Sequence, residues 1–248
     1  MSRGQGIANS VAQDQEDAVQ RDLVIANRVL AHYGVLDGFG HVSVRHPRMP
    51  GHFLLSRSLA PALVTADDLM VFDENSEAVG GDERTAYLER YIHGEIYRAR
   101  PDVQAIVHSH SPSVIPFASS STRLRPIYHM AGFLRGGAPV FDICKCFGAT
   151  DLLVRNREQG VELARILGAN AVALMRGHGF VAVGSDIRFA VYRAMYTESN
   201  AALQHKAVAL GGDVTYLTEE EADKADEMMR SVIYRPWNLW TREVLDVR

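Results

Sequence analysis

The segment Ala105-Ile-Val-His-Ser-His constrains the fold more than any other stretch of the chain. Pro101 closes the helical pattern ahead of it, because the residue before a proline is pushed out of the α region. The apolar run that follows is too short for a helix and reads as a strand that is mostly buried. Around it the periodicity switches repeatedly. Leu88, Tyr91, Ile92, Ile96 and Ala99 fall on one helical face, which predicts a helix over Arg84 to Arg100. Leu23, Ala26, Asn27, Leu30 and Ala31 repeat at the same spacing, with Asp22 as a candidate cap and Gly34 as a stop, which predicts a helix over residues 20 to 33. Gly38-Phe-Gly-His-Val-Ser-Val-Arg-His alternates, and Phe53-Leu-Leu-Ser resumes the strand character after a Pro/Gly turn, as in a hairpin. Leu69 to Phe72, Ala171 to Met175 and Phe180 to Val183 read as further strands, and Asp151 to Leu167 and Ile187 to Leu210 as helices.

Strand and helix patterns interleave without a regular βαβ period. The expectation is one α/β domain over 21–248 whose sheet carries several antiparallel hairpins, preceded by a polar N-terminal tail over 1–20. The aromatic end, Tyr234-Arg-Pro-Trp-Asn-Leu-Trp, reads as a strand or turn that covers the core.

With 26 Lys and Arg against 30 Asp and Glu, the formal charge is -4, so no broad basic field exists to attract nucleic acid or an anionic membrane. No run approaches the roughly 18 apolar residues of a membrane span, and the first residues lack the apolar centre of a signal peptide. Cys144 and Cys146 are too few and too close for a disulfide framework and read as a pair of buried, reduced thiols. A cytoplasmic protein is expected.

The densest chemical signal is His108-Ser109-His110. On a strand, residues two apart share a face, so both imidazoles approach one point, and two histidines on a buried face are hard to satisfy without a metal or an acid. His178, in Arg-Gly-His-Gly, is a third candidate, because its flanking glycines let the backbone turn tightly and present the ring. Glu89 lies beside the apolar stripe near the start of its helix and is the candidate acidic group; burial would raise its pKa. His93, one turn further on, reads as a helix-surface or satisfied histidine.

These residues carry a resemblance. Tyr-Leu-Glu89-Arg-Tyr-Ile-His93-Gly-Glu-Ile-Tyr-Arg-Ala-Arg-Pro-Asp-Val, then Ala-Ile-Val-His108-Ser-His110-Ser-Pro, then Arg-Gly-His178-Gly-Phe-Val-Ala-Val-Gly, resemble the class II aldolase/adducin family over residues 20 to 210. The resemblance implies a three-layer α/β/α domain with a mostly antiparallel central sheet, assembled as a homotetramer with sites between subunits. It implies His108, His110 and His178 as ligands to one divalent metal per subunit, with Glu89 as the catalytic acid/base. Three histidines suit Mn²⁺ or Zn²⁺, and also Fe²⁺ or Co²⁺.

The phosphosugar aldolases of that family hold a phosphate with small donors at three places where this chain reads Gly40-His41-Val-Ser43, Ser56-Arg57-Ser58-Leu59 and Tyr87-Leu88. A phosphate needs several converging donors, and Tyr87-Leu88 cannot supply a side-chain pair. These segments, with Leu-Arg-Pro-Ile-Tyr-His129-Met, instead resemble the branch that decarboxylates hydroxylated benzene or pyridine carboxylic acids in catabolism. His41, Ser43, Ser56, Arg57 and Ser58 become candidates for binding a small carboxylate substrate, and His129 a second candidate catalytic group. The rival readings are an aldolase cleaving a non-phosphorylated hydroxy-keto acid, a non-catalytic adducin-like binding protein and, more weakly, an epimerase.

Overall fold

The computed structural model describes the backbone of residues 2–246 and the side chains of residues 13–246. Met1 and residues 247 and 248, the outer ends of the expected tail and domain, lie outside the described residues. Strands β1 (His41–Arg45), β2 (Phe53–Ser56), β3 (Leu69–Phe72), β4 (Ala105–Ser109), β5 (Val140–Phe141), β6 (Val172–Met175) and β7 (Gly179–Gly184) form one sheet in the order β3-β2-β1-β4-β7-β6-β5. Every pairing is antiparallel except β5 with β6. The helices are α1 (Ser2–His32), α2 (Arg90–Ala99), α3 (Ile115–Ala118), α4 (Ile143–Phe147), α5 (Arg157–Leu167), α6 (Ile187–Ala209), α7 (Glu219–Val232) and α8 (Tyr234–Asp246).

Strand alternation divides the core into two layers. Val42, Val44, Ala105 and Val107 face one side and join apolar residues of α1, α6 and α8. Phe53, Leu55, Ile106 and Val181 face the other and meet Ile92, Ile96 and Tyr97 of α2 and Leu163, Ala164 and Leu167 of α5. The result is the expected α/β/α layering with a largely antiparallel sheet. β4 lies at its centre, with all five residues buried. No described helix is long and apolar enough to cross a membrane.

Several boundaries depart from the sequence expectation. The first helix does not begin near residue 20: α1 runs from Ser2, and its polar stretch is held where Glu16 is buried against Arg48 and His46. Asp22 lies inside this helix, not at its cap, and faces Arg188 at 3.8 Å. The helix expected over 151–167 starts only at Arg157, where the Asn156 side chain accepts the Gln159 N–H. The helix expected from Arg84 starts at Arg90 and leaves Glu89 at its cap position. The aromatic end is neither strand nor turn but helix α8, which tolerates Pro236 in its first turn, where no intrahelical N–H bond is lost. Its Trp237 and Trp240 are buried on the core, as their composition suggested. Cys144 is half-buried and Cys146 exposed, so the expected buried thiol pair is not formed, although both are free. The two-residue strand β5 carries too little pattern to be read from sequence.

Candidate metal centre

Residues from three separated parts of the chain meet at the end of β4. In the antiparallel register His41 of β1 stands opposite His108 of β4, and Val181 of β7 is opposite His108 on the other side. His108 points toward the α2 layer, and His110 follows two residues later, just beyond the strand. The β6–β7 turn brings in His178. Gly177 there takes φ +65°, and a Cβ on Gly179 would lie 2.0 Å from the Ser109 carbonyl oxygen. Only glycine lets the turn come this close to β4, and that approach carries the His178 ring to its neighbours.

The three Nε2 atoms face one another: His108 to His110 at 3.1 Å and His110 to His178 at 3.0 Å. Glu89 Oε2 lies 3.4 Å from His108 Nε2 and 3.5 Å from His178 Nε2. One ligand atom from each of the four residues fits within 4.8 Å of the others. Glu89 Oε1 accepts the Val154 N–H at 3.0 Å, which fixes the carboxylate from behind.

This donor set fits a divalent cation. His108 Nδ1–H donates to the Phe180 carbonyl at 3.1 Å, which sets the tautomer and leaves Nε2 as a bare lone pair turned into the cluster. A neutral imidazole has one donor and one acceptor, so three mutually facing Nε2 atoms cannot satisfy one another by hydrogen bonds. A cation satisfies all three together. Burial, and then the neighbouring His108 and His178, lower the His110 pKa to about 4, so the ring is neutral and able to ligate near pH 7. For Glu89, burial alone pushes the carboxyl up, the direction expected from sequence. The attraction of the facing His108 and His178 rings for the ionised carboxylate outweighs that burial, and the carboxyl is held well below its ordinary range.

Beside the cluster opens a cleft of about 420 Å³, lined by Phe39, His41, Ser58, Tyr87, Glu89 and His110 among others. Phe39 is 70% exposed, with its ring centroid 6.3 Å from that of His110. The Tyr87 hydroxyl donates to the Leu59 carbonyl and accepts the Leu59 N–H at 3.3 Å, and so pins the loop after β2. Buried Ser56 reaches the same hydroxyl at 3.4 Å.

The remaining candidates separate. Ser43 is fully buried and bonded to His93 and Tyr97, so it supports the cleft from behind. Arg57 is paired with Asp68 at 2.7 Å and does not line the cleft. His129 lines a different cavity, with Tyr192, Tyr196 and Leu239. His93, read as a surface or satisfied residue, is fully buried and bonds His41 Nδ1 through its Nε2 at 2.6 Å. Its one-turn spacing from Glu89 was the available signal. Burial, then the nearby His108, lowers its pKa to about 3, so its ring is neutral.

Comparison with known proteins adds an independent line. A family model described as "Class II Aldolase and Adducin N-terminal domain" matches residues 21–205. The decarboxylase tropJ of Talaromyces stipitatus is 38% identical over 247 residues, covering 90% of this chain and 93% of the relative. The 3,4-dihydroxyphthalate decarboxylase of Arthrobacter keyseri is 29% identical over 237 residues, covering 90% of this chain and 91% of the relative. Among solved structures, the L-fuculose 1-phosphate aldolase of Glaciozyma antarctica superposes with a TM-score of 0.77 at 25% identity, covering 94% of this chain and 90% of that one.

Proposed function

The chain belongs to the class II aldolase and adducin family, and we infer from that membership and the site that it is a carbon–carbon lyase, a decarboxylase of hydroxylated aromatic carboxylic acids. The observation that carries this reading is the Glu89-His108-His110-His178 cluster opening onto a cleft walled by the rings of Phe39, His41 and Tyr87. A flat aromatic acid matches those walls. A sugar phosphate does not, because the Tyr87 hydroxyl is already engaged by the Leu59 backbone.

His108, His110 and His178 would hold one divalent metal, Mn²⁺ or Zn²⁺ by their ligand chemistry, with Fe²⁺ or Co²⁺ also compatible. When bound, such a cation supplies Lewis acidity that stabilises negative charge developing on a substrate oxygen. Glu89 does the proton work. It is ionised, and Val154 anchors its Oε1 so that Oε2 faces the site. Oε2 takes the proton of the ring hydroxyl and returns it to the ring carbon that bears the departing carboxylate. The C–C bond then breaks, CO2 leaves, and the bonding pair restores the aromatic ring. Leu88 and Leu153 line the cleft beside Glu89. Ser58 lines the cleft and Ser56 is buried behind the Tyr87 hydroxyl, while Arg57 and His129 stand outside it and are assigned no step.

The retained carboxylate and three histidines favour an enzyme over an adducin-like binding protein. We also infer one domain over 21–248, a homotetrameric assembly and a cytoplasmic setting, from family resemblance, charge and composition. The test is to supply ortho-hydroxylated benzene and pyridine carboxylates and, separately, hydroxy-keto acids, and to measure CO2 and aldehyde. Release of CO2 from the aromatic acids is expected; aldehyde from the keto acids with no CO2 would establish the aldolase reading instead.

A further inference from the structure

Four polar side chains run in a line beneath the cleft. The Tyr97 hydroxyl lies 2.8 Å from Ser43 Oγ, Ser43 Oγ 2.6 Å from His93 Nδ1, and His93 Nε2 2.6 Å from His41 Nδ1. All four residues are buried, Ser43 and His93 completely. The strand and helix periods account for the line: Ser43 and His41 share a face of β1, and His93 and Tyr97 are one turn apart on α2.

A neutral imidazole carries one N–H and a hydroxyl one hydrogen, so the direction of the chain is set by which His93 nitrogen is protonated. Running from His41 toward Tyr97, His41 Nδ1–H donates to His93, His93 to Ser43, and Ser43 to the phenol oxygen. The Tyr97 hydrogen, or the Ser43 hydrogen if Tyr97 donates to Ser43 instead, is then left without an acceptor among the described residues, and a buried donor with no partner is costly. Running from Tyr97 toward His41, Tyr97 donates to Ser43, Ser43 to His93 Nδ1, and His93 Nε2–H to His41 Nδ1. Every hydrogen within the line is then used. The remaining one sits on His41 Nε2, which has no hydrogen bond among the described residues and belongs to a side chain that lines the cleft. Burial also pushes the Tyr97 phenol above its ordinary range, so it keeps the proton it donates.

We infer that the Tyr97-Ser43-His93 line fixes His41 as a neutral Nε2–H donor at the cleft wall, and that this N–H donates to an anionic or acceptor oxygen of the substrate beside the histidine cluster. The substrate half of this inference rests on the function proposed above; the polarity half does not. Tyr97, Ser43 and His93 are positioning residues that act through His41. A substrate presenting a carboxylate or phenolate oxygen at His41 is favoured, and an analogue presenting an amino group there meets donor against donor. The preference expected for one hydrogen bond to a charged group is about tenfold to a hundredfold.

The decisive measurement is nitrogen NMR of isotope-labelled histidine in the purified full-length enzyme, with assignments made from His41→Gln and His93→Gln. A bare Nδ1 and a protonated Nε2 on His41 are expected; a protonated Nδ1 overturns the inference whatever the substrate. Salicylate, used as a non-reacting probe, should shift the His41 Nε2 signal, and no shift at saturating probe overturns the assignment of His41 as the anion donor. Ser43→Ala, which cuts the line, should raise KM for the hydroxylated acid by about tenfold to a hundredfold with a smaller change in kcat. His41→Gln, which retains an N–H donor, should stay closer to wild type in KM than His41→Ala, and equal KM values for the two would count against the inference. If no aromatic acid is decarboxylated while the NMR result stands, the function proposed above fails and the polarity is supported independently.

Discussion

His41 and His108 stand directly opposite each other in the β1–β4 register, with ring centroids 5.0 Å apart. The pairing places a cleft-lining imidazole next to one that faces the histidine cluster, and each is held by a partner on its other nitrogen: His93 for His41, the Phe180 carbonyl for His108. The two faces of the site are therefore set by backbone pairing at the centre of the sheet.

His108→Ala should abolish metal retention, because it deletes a fully buried member of the cluster that is in contact with both His110 and Glu89. Metal analysis after dialysis is expected to fall from one equivalent per subunit to near none. Metal content unchanged in the variant would be incompatible with the proposed centre.

Glu89→Gln keeps the shape of the side chain but removes the base. Turnover should fall by roughly a hundredfold to ten-thousandfold, the range typical of a lost general acid/base. Metal content and substrate KM should change far less. A steady-state assay paired with metal analysis separates the two, and full turnover in this variant would remove Glu89 from the mechanism.

Chelation of the native enzyme should abolish CO2 release and lower the thermal midpoint, since a cation that binds only the folded site stabilises it. Adding back Mn²⁺ or Zn²⁺ should restore both, and the metal giving the larger recovery identifies the better fit.

The stability of the metal-free protein should fall on acidification. His93 takes its proton at about pH 3 when folded, against 6.5 unfolded. Between those values the unfolded chain binds a proton that the folded chain does not, so stability is full above pH 6.5 and declines as pH drops toward 3. One such proton gives a slope of about 1.4 kcal/mol per pH unit, and His110, lowered to about 4, adds in the same direction. Urea unfolding across this range should show the decline, with a shallower slope in His93→Gln.

Trp240→Ala should destabilise the fold by about 3–5 kcal/mol, the cost of emptying a large aromatic site. Trp240 is buried on the core through α8 and its ring is within 6.3 Å of Tyr196. Thermal unfolding at fixed metal concentration measures the loss, and a change under 1 kcal/mol would mean that α8 contributes little.

Much of this molecule is legible in short stretches of sequence. The period of two in Ala105 to His110 puts two imidazoles on one strand face, and Gly-His-Gly marks a turn that needs freedom from Cβ contacts. Motif order identifies the family, because each motif is local and so survives in the linear text. The tertiary structure decided what each face meets. It placed Glu89 at a helix cap against histidines from two other elements, and this reversed the pKa direction that burial alone implies. It turned His93 from an unassigned histidine into the partner of His41, and it sent His129 and Arg57 away from the cleft. The physical reason is that periodicity specifies the direction of a side chain relative to its own backbone. The neighbour in that direction comes from strand register and helix packing between segments far apart in the chain.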